Sequence, residues 1–136
     1  MTVFVLDSSA VIRYHDDEAG ADRVEAVFEA CLHGIGEIQI SALHWGEIAA
    51  TLRKRYGPQE QEIKLRRLMQ LDLRVMPISV ERAVRAAAIR VDYRMALADA
   101  FAVELTLDTP DHVLVTADYD FKVAADLIEI ELLPAK

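Results

Sequence analysis

The chain has a single cysteine, no long apolar run and too few basic residues to balance its acidic ones. Its one cysteine, Cys31, excludes an internal disulfide and a zinc site built from cysteines. No apolar run reaches the ~20 residues that a membrane-spanning helix needs. Asp7 interrupts the N-terminal apolar run, which argues against a secretory signal, so we expect a cytoplasmic protein.

The charge balance disfavours a generic nucleic-acid binder. The net charge is -8, from 15 basic and 23 acidic residues, whereas proteins that bind nucleic acid unaided are usually basic. This argument against nucleic-acid binding is weaker if cations neutralise clustered acidic residues, or if the basic residues are grouped on one part of the surface. Basic residues do collect at 53–55 and 64–67, and a solvated helix face is the alternative interpretation of these runs.

Strand-like and helix-like segments alternate along the whole chain, without a linker or an internal repeat. Apolar or alternating patterns predict strands at residues 2–6, 37–40, 73–78, 112–115 and 127–132. Apolar residues at helical spacing predict helices after Asp7 and at residues 21–35, 41–56, 58–71, 79–91, 96–107 and 119–126. This order predicts an α/β fold, a three-layer α/β/α sandwich with a mostly parallel sheet, as one domain over residues 1–136.

Three of the helices carry apolar stripes that we expect to face the core. In the helix at 21–35 the stripe is Val24, Val27, Phe28, Cys31 and Ile35. In the helix at 41–56 it is Trp45, Ile48, Ala49, Leu52 and Tyr56. In the helix after Ser79 it is Val80, Ala83, Val84, Ala87 and Val91. Gly57 and Pro58 are expected to separate the second helix from the next.

Four acidic residues lie where such a fold would gather them. Asp7 ends the first strand, Asp118 follows the fourth, and Glu47 comes soon after the second. Asp99 lies in an almost wholly apolar helix, where an unpaired acid costs several kcal/mol. Carboxylates at the carboxyl edge of a parallel sheet share one crevice, and they repel one another unless a cation is present. Because all the ligands are oxygens, the pattern predicts Mg²⁺ or Mn²⁺ rather than zinc.

Each acid also has a purely structural interpretation. Asp7 and Asp118 both precede a predicted helix and could serve as N-caps. Asp99 could form a buried ion pair, or interact with the helix dipole from the first turn. Glu47 lies nearly opposite the apolar stripe of its helix, where an exposed glutamate usually has no role beyond solvation.

Polar neighbours of these acids are candidates for supporting roles. Thr116 could hydrogen-bond a carboxylate that ligates a metal, and Ser9 could support metal or phosphate. Asp120 could act as an accessory ligand or as a second helix cap. His44 lies one helical turn before Glu47 and could face the same groove, although we expect a surface or packing role for it.

Four segments of the chain, in order, resemble the PIN-domain family, and within it the VapC-type toxins of toxin–antitoxin pairs. They are residues 5–10, 40–47, 97–100 and 114–121. The closing Thr-Ala-Asp-x-Asp-Phe is the most specific segment, and the resemblance covers essentially the whole chain. Ser8 stands where threonine is common and Ala98 where glycine is common, and neither change removes a predicted ligand.

The resemblance implies a PIN-like fold and a metal-dependent endoribonuclease that uses Mg²⁺ or Mn²⁺. Its acidic quartet would be Asp7, Glu47, Asp99 and Asp118, with Asp120 as an accessory acid and Thr116 and Ser9 as supporting polar residues. It also implies an RNA substrate, a cognate VapB-like antitoxin that holds the enzyme inactive, and a homodimer within a larger toxin–antitoxin assembly. A membrane is not implied.

Three other interpretations of the sequence remain. A phosphoaspartyl phosphatase would use Asp7 as nucleophile, although Ser9 stands where such enzymes place a second aspartate. A two-component receiver needs an acidic pair at the end of its first strand, and Asp16 and Asp17 lie well beyond it. A catalytically silent PIN-like module would bind RNA or protein without cleaving anything.

Overall fold

A computed structural model describes all 136 residues and shows a parallel sheet with helices on both faces. The strands are Thr2–Leu6 (β1), Gly36–Ser41 (β2), Leu73–Met76 (β3), His112–Thr116 (β4) and Ile130–Leu132 (β5). The helices are Ser8–His15 (α1), Ala21–Leu32 (α2), Ala42–Met69 (α3), Val80–Tyr93 (α4) and Leu97–Leu107 (α5), with a 3₁₀ helix at Tyr119–Ala124. The three-layer α/β/α prediction is confirmed. None of these helices has the length and apolar character needed to cross a membrane.

The order of the strands places β1 at the centre of the sheet. The order is β3-β2-β1-β4-β5, and every neighbouring pair is parallel. Leu6 pairs with Ile40 of β2 and with Val115 of β4, so these three strands end at the same edge. The chain moves outward from β1 through β2 and β3 and then returns to its other side with β4. Ligands in open α/β sheets bind at such a reversal of strand order.

Two apolar cores hold the layers together, one on each face of the sheet. Leu6 and Ile40 face the core formed with α1, α2 and α3. Val5 and Leu114 face the other core, formed with α4, α5 and the 3₁₀ helix. The alternation follows from the pleat of a strand, which sends successive side chains to opposite faces. Cys31 is buried in the first core, as its stripe predicts.

Glycine and proline account for the element boundaries that were predicted and for several that were missed. Gly57 (φ 85°, ψ 174°) interrupts α3 before Pro58, so the element is two helical segments, as predicted. β3 ends at Met76 rather than at 78 because Pro77 has no N–H to donate to the ladder. Gly34 adopts φ 79° after the end of α2, which therefore stops at Leu32. β5 is shorter than predicted, and the helix before it is 3₁₀.

The stripe predicted for α4 is wrong in its direction. Val80, Val84 and Val91 are 78%, 66% and 73% exposed, while Ala86 on the opposite side is fully buried. The rotation of α4 is set by Arg82, which ion-pairs at 2.8 Å with the buried Glu104 of α5. Apolar periodicity finds a stripe on this helix, but the polar contact selects the other face for packing.

Two smaller stripe predictions also fail at helix ends. Ile35 is 70% exposed because α2 has already ended. Tyr56 is exposed at the end of the first segment of α3, where its ring lies 4.7 Å below the ammonium of Lys64. Trp45 is half-buried against the first core, and Ile48 and Leu52 are fully buried as predicted.

Candidate active site

Asp7 lies at the carboxyl end of β1, and its carboxylate is only 3% exposed. Its Oδ1 accepts hydrogen bonds from Ser9 Oγ at 2.8 Å and from the backbone N–H of Ala10 at 3.1 Å, and Oδ2 accepts from Thr116 Oγ1 at 2.7 Å. Asp7 therefore does cap α1, but a cap alone would not need two hydroxyl donors as well. Burial raises the pKa of Asp7, and the bonds from Thr116, Ser9 and Ala10 partly oppose that rise.

Thr116 and Ser9 join the ends of β1 and β4. The hydroxyl of the fully buried Thr116 donates to Asp7 and accepts from the backbone N–H of Asp118 at 2.9 Å. The hydroxyl of Ser9 donates to Asp7 and accepts from the backbone N–H of Ala117 at 2.9 Å. Because each hydroxyl is used as both donor and acceptor, this network fixes Asp7 relative to the start of the 3₁₀ helix.

Asp118 caps the 3₁₀ helix and remains partly open to solvent. Its Oδ1 accepts from the backbone N–H of Asp120 at 2.9 Å. Asp120 itself is exposed. The cap orients Asp118 and leaves its second carboxylate oxygen without a partner in the chain, so that oxygen is free for a ligand.

Asp99 lies in the first turn of α5, half-buried, where most of the helix is packed into the second core. Burial and, to a smaller extent, the negative charges of Asp118, Asp7, Asp120 and Glu47 together raise its pKa to about 6. All four other predicted acids thus act on Asp99 through space. We call these five residues, which come from four separate segments of the chain, the acidic cluster.

Glu47 forms the exposed wall of the acidic cluster, on the solvent side of α3 as its position opposite the stripe predicts. Its Oε1 accepts a hydrogen bond from Ser8 Oγ of α1 at 3.1 Å. The sequence did not suggest this contact. The one signal for it in the sequence is that Ser8, a residue with a hydroxyl group, directly follows Asp7.

His44 is a member of the site that the sequence analysis did not assign to it. Its side chain is only 2% exposed, with Nε2 3.8 Å from Glu47 Oε1, and its Nδ1 has no hydrogen-bond partner. Burial lowers the pKa of His44, while the charges of Asp7 and Glu47 oppose that shift. The lowered pKa makes His44 neutral at neutral pH.

The donor set of the acidic cluster fits a hard divalent cation, but the carboxylates are not preassembled around one. As they stand, no three His, Cys, Asp or Glu side chains are close enough to hold an ion together. Hydroxyl donors occupy both oxygens of Asp7, and like charges keep the other carboxylates apart. Oxygen ligands suit Mg²⁺ or Mn²⁺, and the raised pKa of Asp99 reflects in part a repulsion that a cation would relieve.

The two basic runs of α3 are largely engaged by other side chains. Arg55 pairs with Asp16 at 2.7 Å, and Arg66 pairs with Glu62 at 2.8 Å. Lys64 lies over the ring of Tyr56. These contacts favour the solvated-face interpretation over a free phosphate-binding patch.

The structure is a parallel α/β sheet with acidic side chains gathered at its carboxyl edge, which is the edge where open α/β sheets bind their ligands. The chain belongs to the PIN domain family, whose model matches residues 4–127. No curated protein is detectably similar to it in sequence.

Several solved structures share this fold, and VapBC complexes and a VapC toxin are among them. VapBC2 from Rickettsia felis, bound to a DNA fragment of its promoter, has a TM-score of 0.73 at 14% identity, covering 97% of this chain and 99% of that one. VapC20 from Mycobacterium tuberculosis, a Sarcin-Ricin loop cleaving toxin, has a TM-score of 0.68 at 15% identity, with coverage of 97% and 99%. FitAcB from Neisseria gonorrhoeae has a TM-score of 0.67 at 19% identity, with coverage of 93% and 95%. At such identities the likeness shows the fold.

Proposed function

We propose that this chain is a metal-dependent endoribonuclease toxin held inactive by a cognate antitoxin. The observation that carries the proposal is the acidic cluster, in which Asp99 has a pKa near 6 because it is partly buried and faces four other acids. Such a cluster is unfavourable without a cation. Family membership and the RNA-cleaving activity of VapC20 support this function over the phosphatase and receiver interpretations.

Asp7, Asp99 and Asp118 would hold one or two Mg²⁺ or Mn²⁺ ions, with Glu47 contributing directly or through a water. When bound, such an ion supplies Lewis-acid stabilisation of phosphoryl charge and acidifies a water that attacks phosphorus. Asp120 lies at the exposed margin of the cluster and would act as an accessory acid.

The chain's own residues prepare this chemistry by positioning and by charge. Thr116 and Ser9 hold the buried carboxylate of Asp7 in one orientation through both of its oxygens. Ser8 holds Glu47 on the exposed wall, which is the side from which RNA can approach. Asp99 must lose its proton before it can bind a cation, so cation binding weakens as the pH falls below about 6.

RNA cleavage by the purified chain tests the proposal. Asp7→Asn and Asp118→Asn should each reduce Mg²⁺- or Mn²⁺-dependent cleavage by at least about 100-fold. Each variant lacks one negative charge that would hold the cation, and the cation would stabilise the charge of the transition state. Asp126→Asn alters an exposed acid outside the cluster and should leave cleavage unchanged. Normal cleavage by both cluster variants would show that the assignment is wrong.

The rival interpretation, a catalytically silent PIN-like module, predicts a different result in a second experiment. Calorimetric titration with MnCl₂ should show saturable binding that is lost in Asp99→Asn. A silent binding module need not bind the metal, and it cleaves no RNA with any metal. Binding without cleavage would retain the metal site and remove the ribonuclease activity.

A groove between α1, α2 and the second segment of α3 supports an antitoxin partner. Its volume is about 480 Å³, and its lining mixes apolar, acidic and basic side chains. The lining residues are Tyr14, His15, Asp17, Ala21, Glu25, Lys64, Arg67, Leu68 and Leu71. An amphipathic partner helix buries its apolar face in such a groove, and we propose that an antitoxin segment does so here.

Co-expression with any small reading frame that adjoins this gene tests the antitoxin assignment. The proposal predicts a stable complex that no longer cleaves RNA. Arg67→Glu reverses an exposed charge in the groove and should weaken the complex without changing the cleavage by the free chain. A complex that still cleaves RNA at the full rate would contradict the role of the partner as inhibitor. The homodimer implied by the resemblance is likewise proposed, and the exposed face of α4 supports it.

A further inference from the structure

An open pocket of about 550 Å³ adjoins the acidic cluster beyond the end of β4. Asp118 and Asp120 of the cluster line this pocket, and so does Ser9, which holds Asp7 through a hydrogen bond. The volume lies within the range of roughly 300–1,000 Å³ that is usual for small-molecule sites. A group that fills this pocket therefore lies directly beside carboxylates that would hold the cation.

The aromatic ring of Tyr119 lines the pocket and is held in place by two contacts. The side chain is 42% exposed, yet its hydroxyl donates to the backbone oxygen of Leu133 at 3.1 Å, and the ammonium of Lys122 lies 5.0 Å from the ring centroid. A ring that is already fixed loses little side-chain entropy when a flat ligand stacks on it. Ile12 and Ala117 add apolar surface to the same lining. The pocket is therefore suited to a planar aromatic ligand.

The charged groups of the pocket do not favour a phosphate. Arg13 is only 9% exposed, and its Nη1 donates to the backbone oxygens of Ala19 and Pro134. The ammonium of Lys136 pairs with the carboxylate of Glu18 at 2.6 Å. Because both cations are already engaged and three carboxylates line the same space, the pocket favours an uncharged group over an anion.

Glu18 offers a free hydrogen-bond acceptor to a ligand in this pocket. Its Oε2 binds Lys136, while its Oε1 has no partner in the chain. An ionised carboxylate accepts hydrogen bonds and donates none. Cytosine and adenine each present an amino group as a donor, whereas uracil presents a carbonyl oxygen where cytosine has its amino group. Glu18 therefore favours a base with an amino group over uracil.

We propose that this pocket binds the base of the RNA nucleotide next to the scissile phosphate, with the base stacked on Tyr119 and its amino group donating to Glu18. Single-stranded RNA is recognised through bases that stack on aromatic side chains and through the hydrogen-bonding edges of those bases. This assignment rests on the proposed ribonuclease function and adds to it a preference for a base with an amino group. Tyr119 and Glu18 act by binding the substrate and take no part in proton transfer.

Titration of the chain with cytidine and with uridine in EDTA, followed by NMR of the backbone amides, tests this pocket without metal or cleavage. The two nucleosides are similar in size, and neither carries a phosphate. Cytidine should shift the resonances of the lining residues, and its dissociation constant should be at least about fivefold lower than that of uridine, because it makes a hydrogen bond to a charged group. Glu18→Gln should remove this difference, because an amide both donates and accepts. Equal binding of both nucleosides by the native chain would overturn the role of Glu18.

Variants of Tyr119 test the stacking. Tyr119→Ala should raise the dissociation constant of cytidine at least about fivefold, because the stacked ring is lost. Tyr119→Phe keeps the ring and should bind cytidine within about twofold of the native chain, although it also loses the hydroxyl contact. The matched control is Tyr56→Ala, since Tyr56 is 44% exposed and lies beneath a lysine but does not line the pocket; it should bind cytidine like the native chain. Equal losses in Tyr119→Ala and Tyr119→Phe would overturn the stacking.

Failure of this base-binding pocket and failure of the ribonuclease function give different results. A chain that binds cytidine in the pocket but cleaves no RNA keeps the nucleoside site and loses the proposed activity. A chain that cleaves RNA with Mg²⁺ or Mn²⁺, but whose pocket resonances respond to neither nucleoside, keeps the activity and overturns the base-binding pocket.

Discussion

Replacing Asp99 with asparagine should stabilise the metal-free protein at neutral pH while removing its ability to bind a cation. The substitution keeps the shape of the side chain and removes its charge. In the folded chain the pKa of Asp99 is about 6, against an ordinary value of 3.8, because of burial and of the acidic neighbours of the carboxyl group. The folded state therefore binds this proton more tightly than the unfolded state does.

The sign and the size of the effect follow from that difference. The contribution of Asp99 to stability is fully present below about pH 4 and is lost as the pH rises through about 6. A pKa difference of about 2 corresponds to about 3 kcal/mol at 1.36 kcal/mol for each unit. Asp99 is only half-buried, so solvent screening reduces our expectation to about 1 kcal/mol. For a chain of this length, that raises the melting temperature by about 3 °C.

Thermal unfolding of the native chain and of Asp99→Asn, at a series of pH values in EDTA, measures this effect. The two proteins should unfold at the same temperature near pH 4, and the variant should be the more stable one above pH 7. Saturating MnCl₂ should reverse the order, because a cation that binds only the native site stabilises the native chain. Asp126→Asn is the matched control and should follow the native chain under every condition. Equal stability of Asp99→Asn and the native chain above pH 7 would refute the electrostatic reasoning.

Three further predictions concern the residues that support the site and the fold. Thr116→Val removes a buried hydroxyl that donates to the aspartate at the end of β1, and urea unfolding should show a loss of about 1–3 kcal/mol; an unchanged midpoint would count against the hydroxyl network. In the same assay, Glu104→Gln should lower the free energy of unfolding by roughly 3 kcal/mol, because it breaks a buried ion pair. Glu62→Gln breaks an exposed ion pair and should lower it by less than about 1 kcal/mol. Similar losses in the two variants would contradict this ranking. Ser8→Ala frees Glu47 from its hydrogen bond and should reduce metal-dependent cleavage by less than about tenfold with unchanged stability, and a complete loss would give the serine a larger role than positioning.

The parts of the fold that were predicted are those set by local chemistry. The apolar segments that end at Asp7 and at Thr116 are strands, and they meet at one edge of the sheet. Gly57 and Pro58 interrupt a helix because Gly57 adopts a positive φ and Pro58 has no N–H to donate. The proximity of the acids was expected for the same reason, because parallel strands end at a common edge. Whether these residues ligate a metal is a prediction that remains to be tested.

The parts that were missed depend on contacts between distant segments. The exposed direction of the apolar stripe that was predicted for α4 is set by a bond from Arg82 to Glu104, 22 residues away, and the helical period of the sequence does not contain that information. The place of His44 depends on how α3 packs against α1 and β2. The bond from Ser8 to Glu47 spans 39 residues. Each of these features depends on residues that are distant along the chain, so local sequence patterns do not predict it.

The central claim is that the acidic cluster binds a divalent cation, and anomalous diffraction from a crystal soaked in MnCl₂ tests it most directly. The account predicts a manganese peak bonded to carboxylate oxygens of Asp7, Asp99 and Asp118, and no such peak in crystals of Asp99→Asn. A native crystal in which manganese occupies only other sites, at a concentration that supports RNA cleavage, would contradict it.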